Sequence, residues 1–260
     1  MKKIIYKLFI AGLIILSVLT PEAVFAVTHQ ELFDGAGYTD GTDLNNLNGG
    51  TGFTAAWVTG GVGARWLAEA TGCNTANCAV SGATAADAGA NRDLATGGVT
   101  NGSLSFNVNR LDSDFNVILY MQKADDTTMF GAIFVRNGGT PNRGVNILNS
   151  GGSTNLPSSA VWASGTTYLY EAEFGSWNGI CSANQVRARV TPNGGGWSSC
   201  LTYQNSATGA IEEIRLQTDE TLGGNIIDDI NIIDYDVATG TVGAAFDFTP
   251  YTVDMYNDPF

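Results

Sequence analysis

The stretch from Ile211 to Ile233, IEEIRLQTDETLGGNIIDDINII, confines this chain to β structure. On either side of Gly223-Gly224, apolar residues alternate with polar ones. A period of two buries one face of a strand and wets the other, whereas a helix needs a period near 3.6. Ile211–Gln217 is therefore expected as one strand and Ile226–Ile233 as its partner across the turn. Upstream, Leu104, Phe106 and Val108 alternate with Ser105, Asn107 and Asn109. Phe115–Met121 and Met129–Val135 are apolar on both parities, as central strands are, and Val145–Leu148 and Tyr168–Phe174 follow. Glu31–Phe33 reads as a short first strand, and residues 68–101, mostly Ala, Gly, Thr and Asn, as a surface excursion. No helical period recurs after residue 26, and no internal repeat is present. These patterns predict an all-β chain, a two-sheet antiparallel β-sandwich.

The segment MKKIIYKLFIAGLIILSVLTPEAVFA reads as a secretion signal. Lys2, Lys3 and Lys7 precede the apolar run Phe9–Leu19, and Val24-Phe25-Ala26 supplies the small-residue cleavage pattern. The expected organisation is a signal over 1–26, a sandwich over 27–236 and a tail over 237–260. No segment after the signal is long and apolar enough to span a membrane. Without the signal's lysines and Glu22, nine basic side chains face 24 acidic ones. Such a surface repels polyanions, which excludes nucleic acid and anionic lipid as partners. The tail, ending FDFTPYTVDMYNDPF, is expected as an edge strand or as an assembly segment that supports self-association.

Four cysteines in an exported chain suggest two disulfides. Three pairings are possible, and spacing favours Cys73–Cys78 and Cys181–Cys200. The second would clamp a hairpin made of Gln185–Thr191, the turn Pro192-Asn193-Gly194, and Trp197–Tyr203. Zinc is the weaker reading, because neither pair is a Cys-x-x-Cys and the only histidine, His29, lies far off in sequence.

Three stretches together carry a family resemblance. ELFDGAGYTDGTDLNNLNGGTGFTAAW, from Glu31 to Trp57, has a strand ending in Phe-Asp, then Leu-Asn-x-Leu-Asn-Gly-Gly-x-Gly, then a tryptophan. TTYLYEAEF precedes a hairpin, and IRLQTDETLGGNIIDDINI ends in an apolar-Asp-Asp-Ile-x-Ile strand. Over residues 30–234 the chain resembles bacterial secreted proteins of the concanavalin A-like lectin/laminin G-like jelly-roll superfamily. The resemblance implies a jelly-roll sandwich. It does not fix an activity, because this fold hosts lectins, hydrolases, lyases and structural modules.

Three functions follow for such a chain: recognition of extracellular glycan or matrix polymer, a structural or adhesive surface subunit, or an enzyme acting on polysaccharide. Hydrolases of the superfamily that the chain resembles carry three acids on one strand. Glu171-Ala172-Glu173 places two carboxylates on one face, and no third acid follows. Glycan recognition needs aromatic platforms beside polar groups. Trp57, Trp66, Trp162, Trp177 and Trp197 are available, and Trp162 and Trp177 flank the Glu171–Glu173 strand. Trp162, Trp177, Glu171 and Glu173 are the candidate ligand residues. Strict alternation through Ile226, Ile230 and Ile232 would point Asp228 into the core, where an unpaired carboxylate is costly. A bulge, backbone N–H donors or an ion would resolve this. First and last strands commonly lie close in jelly rolls, so Glu31, Asp34, Asp228 and Asp229 form a candidate site for a structural Ca2+.

Overall fold

The computed structural model describes residues 27–235 apart from 35–36, 61–65, 72, 74–76, 82–87, 96, 111–115, 136–143, 157–165, 192–194 and 219–224. The signal, the tail, Trp162 and the turns at Pro192–Gly194 and Gly223-Gly224 lie outside these described residues. The first eight strands are β1 (Val27–Glu31), β2 (Thr42–Asp43), β3 (Val58–Gly60), β4 (Trp66–Glu69), β5 (Cys78–Ser81), β6 (Ala88–Asp93), β7 (Gly102–Arg110) and β8 (Asn116–Gln122). The next eight are β9 (Thr128–Val135), β10 (Gly144–Asn149), β11 (Gly152–Asn155), β12 (Tyr168–Phe174), β13 (Gln185–Thr191), β14 (Leu201–Thr202), β15 (Glu213–Thr218) and β16 (Asn225–Asp234).

They form two antiparallel sheets. The nine-stranded sheet runs β14-β13-β12-β7-β16-β5-β4-β2, with β1 also pairing β16. The seven-stranded sheet runs β11-β10-β9-β8-β15-β6-β3. This is the two-sheet sandwich that the alternation predicts. Leu104, Phe106 and Val108 of β7 and Tyr168, Tyr170 and Phe174 of β12 supply one inner face. Leu119, Phe130, Phe134, Ile214 and Leu216 supply the other. The two meet edge to face where Phe106 and Phe134 lie 5.7 Å apart at 80°.

The closing stretch differs from its expectation. β15 and β16 are not hairpin partners: β15 lies between β6 and β8 in one sheet, and β16 beside β7 in the other. Period two specifies which face is buried but not which strand lies alongside. Residues 68–101 are not only a surface excursion: their described part holds β5 and β6, and Ala68, Ala79 and Ala90 sit fully buried. Alanine and glycine are poor strand formers, yet they suit close backbone approach inside a sheet. The first strand runs Val27–Glu31 and stops short of Phe33, whose φ is 51°.

β16 changes parity half-way along. Asp228 opposes Asn107 and Asn231 opposes Ser105, so one extra residue is accommodated at Asp229, where φ is 54°. Ile227 faces the core before the bulge, and Ile230 and Ile232 face it afterwards. Asp228 is thereby turned to the outer face, with its Oδ1 accepting the Asp229 backbone N–H at 2.8 Å.

A buried ion pair closes the opening segment onto the sandwich. Glu31 and Arg92 are both buried, on β1 and β6, and bond through Arg92 Nη1 and Glu31 Oε2. The same carboxylate accepts Phe33 N–H at 2.8 Å, Tyr38 O–H at 3.0 Å and Trp57 Nε1–H at 3.2 Å. Arg92 donates further to Ala55 O, Asn48 Oδ1 and Gly49 O, and its guanidinium lies 4.2 Å from the Phe53 ring centroid. Burial lowers Arg92 to about 10, which leaves it charged at neutral pH. Both cysteine pairs expected from spacing are bonded: Cys73–Cys78 and Cys181–Cys200.

Candidate functional site

Directly opposed residues of a sheet share a face, so the outer side of the nine-stranded sheet is laid out in rows. One row runs Arg187, Glu173, Ser103 and Ile233 across β13, β12, β7 and β16. The next runs Arg189, Glu171, Ser105 and Asn231. Arg189 holds Glu171 with two bonds, Nε to Oε2 at 2.7 Å and Nη2 to Oε1 at 2.9 Å. This carboxylate raises the Arg189 pKa. Arg187 holds Glu173 through Nε at 2.8 Å and through Nη2, and Asn178 Nδ2 adds a bond to the same oxygen at 2.9 Å.

Aromatic rings bound the rows. Trp197 lies over both guanidiniums, 4.5 Å from Arg187 Cζ and 4.6 Å from Arg189 Cζ, a geometry that favours cation–π attraction. Trp177 is 40% exposed, donates Nε1–H to Gly102 O at 3.2 Å and stacks on Tyr235 at 4.0 Å. The turn that presents it depends on Gly175, whose φ is 78°. A Cβ there would collide with Thr100 O and Asn101. Trp177, Tyr235, Trp197 and the central parts of both rows line a cleft of about 240 Å³.

The cleft brings together three of the four residues singled out from the sequence: Trp177, Glu171 and Glu173. Trp162 lies outside the described residues. Sequence reading passed over Arg187, Arg189 and Tyr235, and weighed Trp197 without choosing it. A signal was present. QVRARVT places Arg-x-Arg where YLYEAEF places Glu-x-Glu, and two period-two strands of opposite charge are natural neighbours.

The four carboxylates proposed for calcium do not converge. Glu31 points to the core and is engaged by Arg92, Asp228 faces the opposite side of the same sheet, and Asp34 is exposed. Asp229 Oδ2 accepts Asn107 Nδ2 at 2.7 Å. Among the described residues, no three His, Cys, Asp or Glu side chains are grouped to hold a metal ion. Nor is any helix there long and apolar enough to cross a membrane.

No protein-family model matches the sequence, and no curated protein matches it either. Among solved structures, the chain is similar to domain 4 of an extracellular GH43 arabinanase from Geobacillus stearothermophilus in complex with arabinotriose. That match has 12% identity, a TM-score of 0.46, and covers 80% of this chain and 93% of that one. A tetrameric galectin from the ball sponge Cinachyrella sp. matches at 9% identity and a TM-score of 0.39, over 54% of this chain and 98% of that one. The exoplasmic/lumenal domain of VIP36, in its Ca2+/Man2-bound form, matches at 6% identity and a TM-score of 0.43, over 74% and 86%. The likeness is one of fold.

Proposed function

We propose that this chain is a secreted, non-catalytic recognition module that binds extracellular glycan or matrix polysaccharide in the cleft lined by Trp177, Tyr235 and Trp197. The observation that carries the reading is the combination of these rings with two rows of fixed donors and acceptors on one sheet face. Sugars present apolar C–H faces to aromatic rings and hydroxyls to polar groups, and the cleft offers both. Its four charged side chains are paired across β12 and β13, so the floor is close to neutral. That favours a neutral glycan over a uronate, and the acidic surface points the same way. The two disulfides support an oxidising, extracellular address.

The paired carboxylates also argue against catalysis. A general acid must present its carboxyl to the substrate, and both carboxylates here are taken up by the arginines of β13. Glu171 and Glu173 therefore serve as fixed acceptors and as anchors for the guanidiniums beneath Trp197.

The test is retention of the purified protein on a panel of immobilised neutral and acidic polysaccharides. Trp197→Ala and Trp177→Ala are each expected to weaken retention roughly 30-fold, as for a central aromatic anchor worth about 2 kcal/mol. Thermal unfolding should stay close to wild type for Trp177→Ala, whose ring is substantially exposed. Unchanged retention in both variants would refute the cleft as the binding site. Polymer shortening that disappears in Glu171→Gln, with folding intact, would replace binding by catalysis.

A further inference from the structure

A second group of polar side chains occupies the outer face of the seven-stranded sheet. Asp93, Glu213 and Gln122 are directly opposed on β6, β15 and β8, so their side chains leave one face at adjacent strand spacings. Ile214 and Leu216 of β15 face the core, which puts Glu213 on the other side. Despite that, Glu213 and Gln122 are only 7% and 3% exposed.

The Gln122 carboxamide has a fixed orientation, because Nε2 donates to Asp126 O and to Thr128 Oγ1, each at 3.1 Å. Its Oε1 is buried with no donor, and so is Glu213 Oε1. A buried acceptor without a partner is costly, and two in one row need a shared explanation. Asp93 stands exposed beside them, and a cavity of about 180 Å³ opens against Asp93 and Glu213.

We propose that Asp93, Glu213 and Gln122 form a binding site for a hard divalent cation of the calcium class. Carboxylate and carboxamide oxygens are its ordinary ligands, and water completes the shell from the cavity. Three protein oxygens suit the weak range of extracellular modules, roughly 0.1–1 mM. The charges around Glu213 are Asp93 on β6 and Asp126 in the turn after β8, opposed by Arg215 on β15 itself, while Arg92, which also lines the cavity, is neutralised by Glu31. Glu212, next in the chain, is directed to the Ala124 N–H. The Lys123 ammonium reaches toward Gly209.

Cation binding here competes with a proton. Burial, then Asp126 and Asp93, push Glu213 up to about 7. A carboxyl whose folded pKa is raised contributes its stability fully below its unfolded value and loses it as pH rises through about 7. Calcium needs the deprotonated form, so its effect should appear over the window in which the proton leaves.

The experiment is thermal unfolding of the purified protein with EDTA or with calcium chloride, at about pH 5 and about pH 8. At roughly ten times the dissociation constant, calcium should raise the midpoint by about 3–5 °C at the higher pH and leave it unmoved at the lower. Glu213→Gln should abolish the calcium shift and flatten the calcium-free decline between the two pH values. Asp93→Asn, at an exposed position, should cut calcium affinity at least several-fold in isothermal titration and guards against a Glu213 variant that fails to fold. No calcium shift in the wild-type protein at the higher pH would overturn the proposal. A full shift retained in either variant would overturn it too.

Discussion

Arg92→Met is expected to lower the thermal unfolding midpoint by about 6–20 °C. Breaking a buried ion pair by removing one partner costs about 3–5 kcal/mol, because the remaining charge stays buried and uncompensated. In a chain of this size each kcal/mol moves the midpoint by about 2–4 °C. The loss also frees Ala55 O, Asn48 Oδ1 and Gly49 O, which Arg92 ties to β6. Adding Glu31→Gln should recover part of the loss. The orphaned charge disappears, while an amide oxygen in the Oε2 position can still accept from Trp57 and Tyr38. Calorimetry on the wild type, the single variant and the double variant checks the sequence of stabilities. An Arg92→Met protein that melts with the wild type would show that the pair does not hold the opening segment closed.

Cys181→Ser with Cys200→Ser is expected to cost about 3 kcal/mol, against about 2 for the Cys73/Cys78 double variant. The estimate follows from loop-closure entropy, since the two bonds span sequence separations of 19 and 5. The larger loss should carry a functional signature as well. β14 pairs with β13 at Gln185–Thr202 and Val186–Leu201, and Ser198 exchanges bonds with Ala188, so the disulfide reinforces a short edge. Trp197 lies three residues before Cys200 and covers Arg187 and Arg189. Polysaccharide retention should therefore fall in the 181/200 variant and persist in the 73/78 variant. Equal retention in the two would separate the Trp197 platform from the bond.

The sheet face that each strand buries was readable wherever large apolar residues alternate, as in β7, β12 and β13. Strands β5 and β6 escaped because their inward residues include alanines, which carry little periodic signal. The pairing of β15 and β16 with other strands escaped because alternation is blind to partners. Half of the cleft, Trp177 with Glu171 and Glu173, was legible as an aromatic residue beside a same-face pair. Of the other half, the Arg-x-Arg of β13 carried a charge signal, whereas Trp197, between β13 and β14, and Tyr235, just after β16, are brought alongside by register that no local pattern encodes. The expectation for Asp228 failed in its premise of strict alternation and succeeded in naming a bulge as one resolution. The carboxylates at Glu31, Asp34, Asp228 and Asp229 were grouped by nearness of strands alone. β1 does pair with β16, but Glu31 and Asp228 leave the sheet on opposite sides.

The extra residue at Asp229 acts on β16 as a frameshift acts on a coding sequence. Everything after it is read in the other phase. Asn231 and Ile233 face the ligand side, and Ile230 and Ile232 the core, only because Asp229 bulges out of the ladder. Pairing Asp229 regularly would flip the rest of the strand, offering Asn231 to the interior and two isoleucines to the cleft floor, whereas excising it would leave these faces as they are. The composition of the recognition surface is thus set partly by the bulging of a residue that does not line it, and deletion of Asp229 should leave that surface intact, because Asp228 and Ile230 then alternate without a bulge.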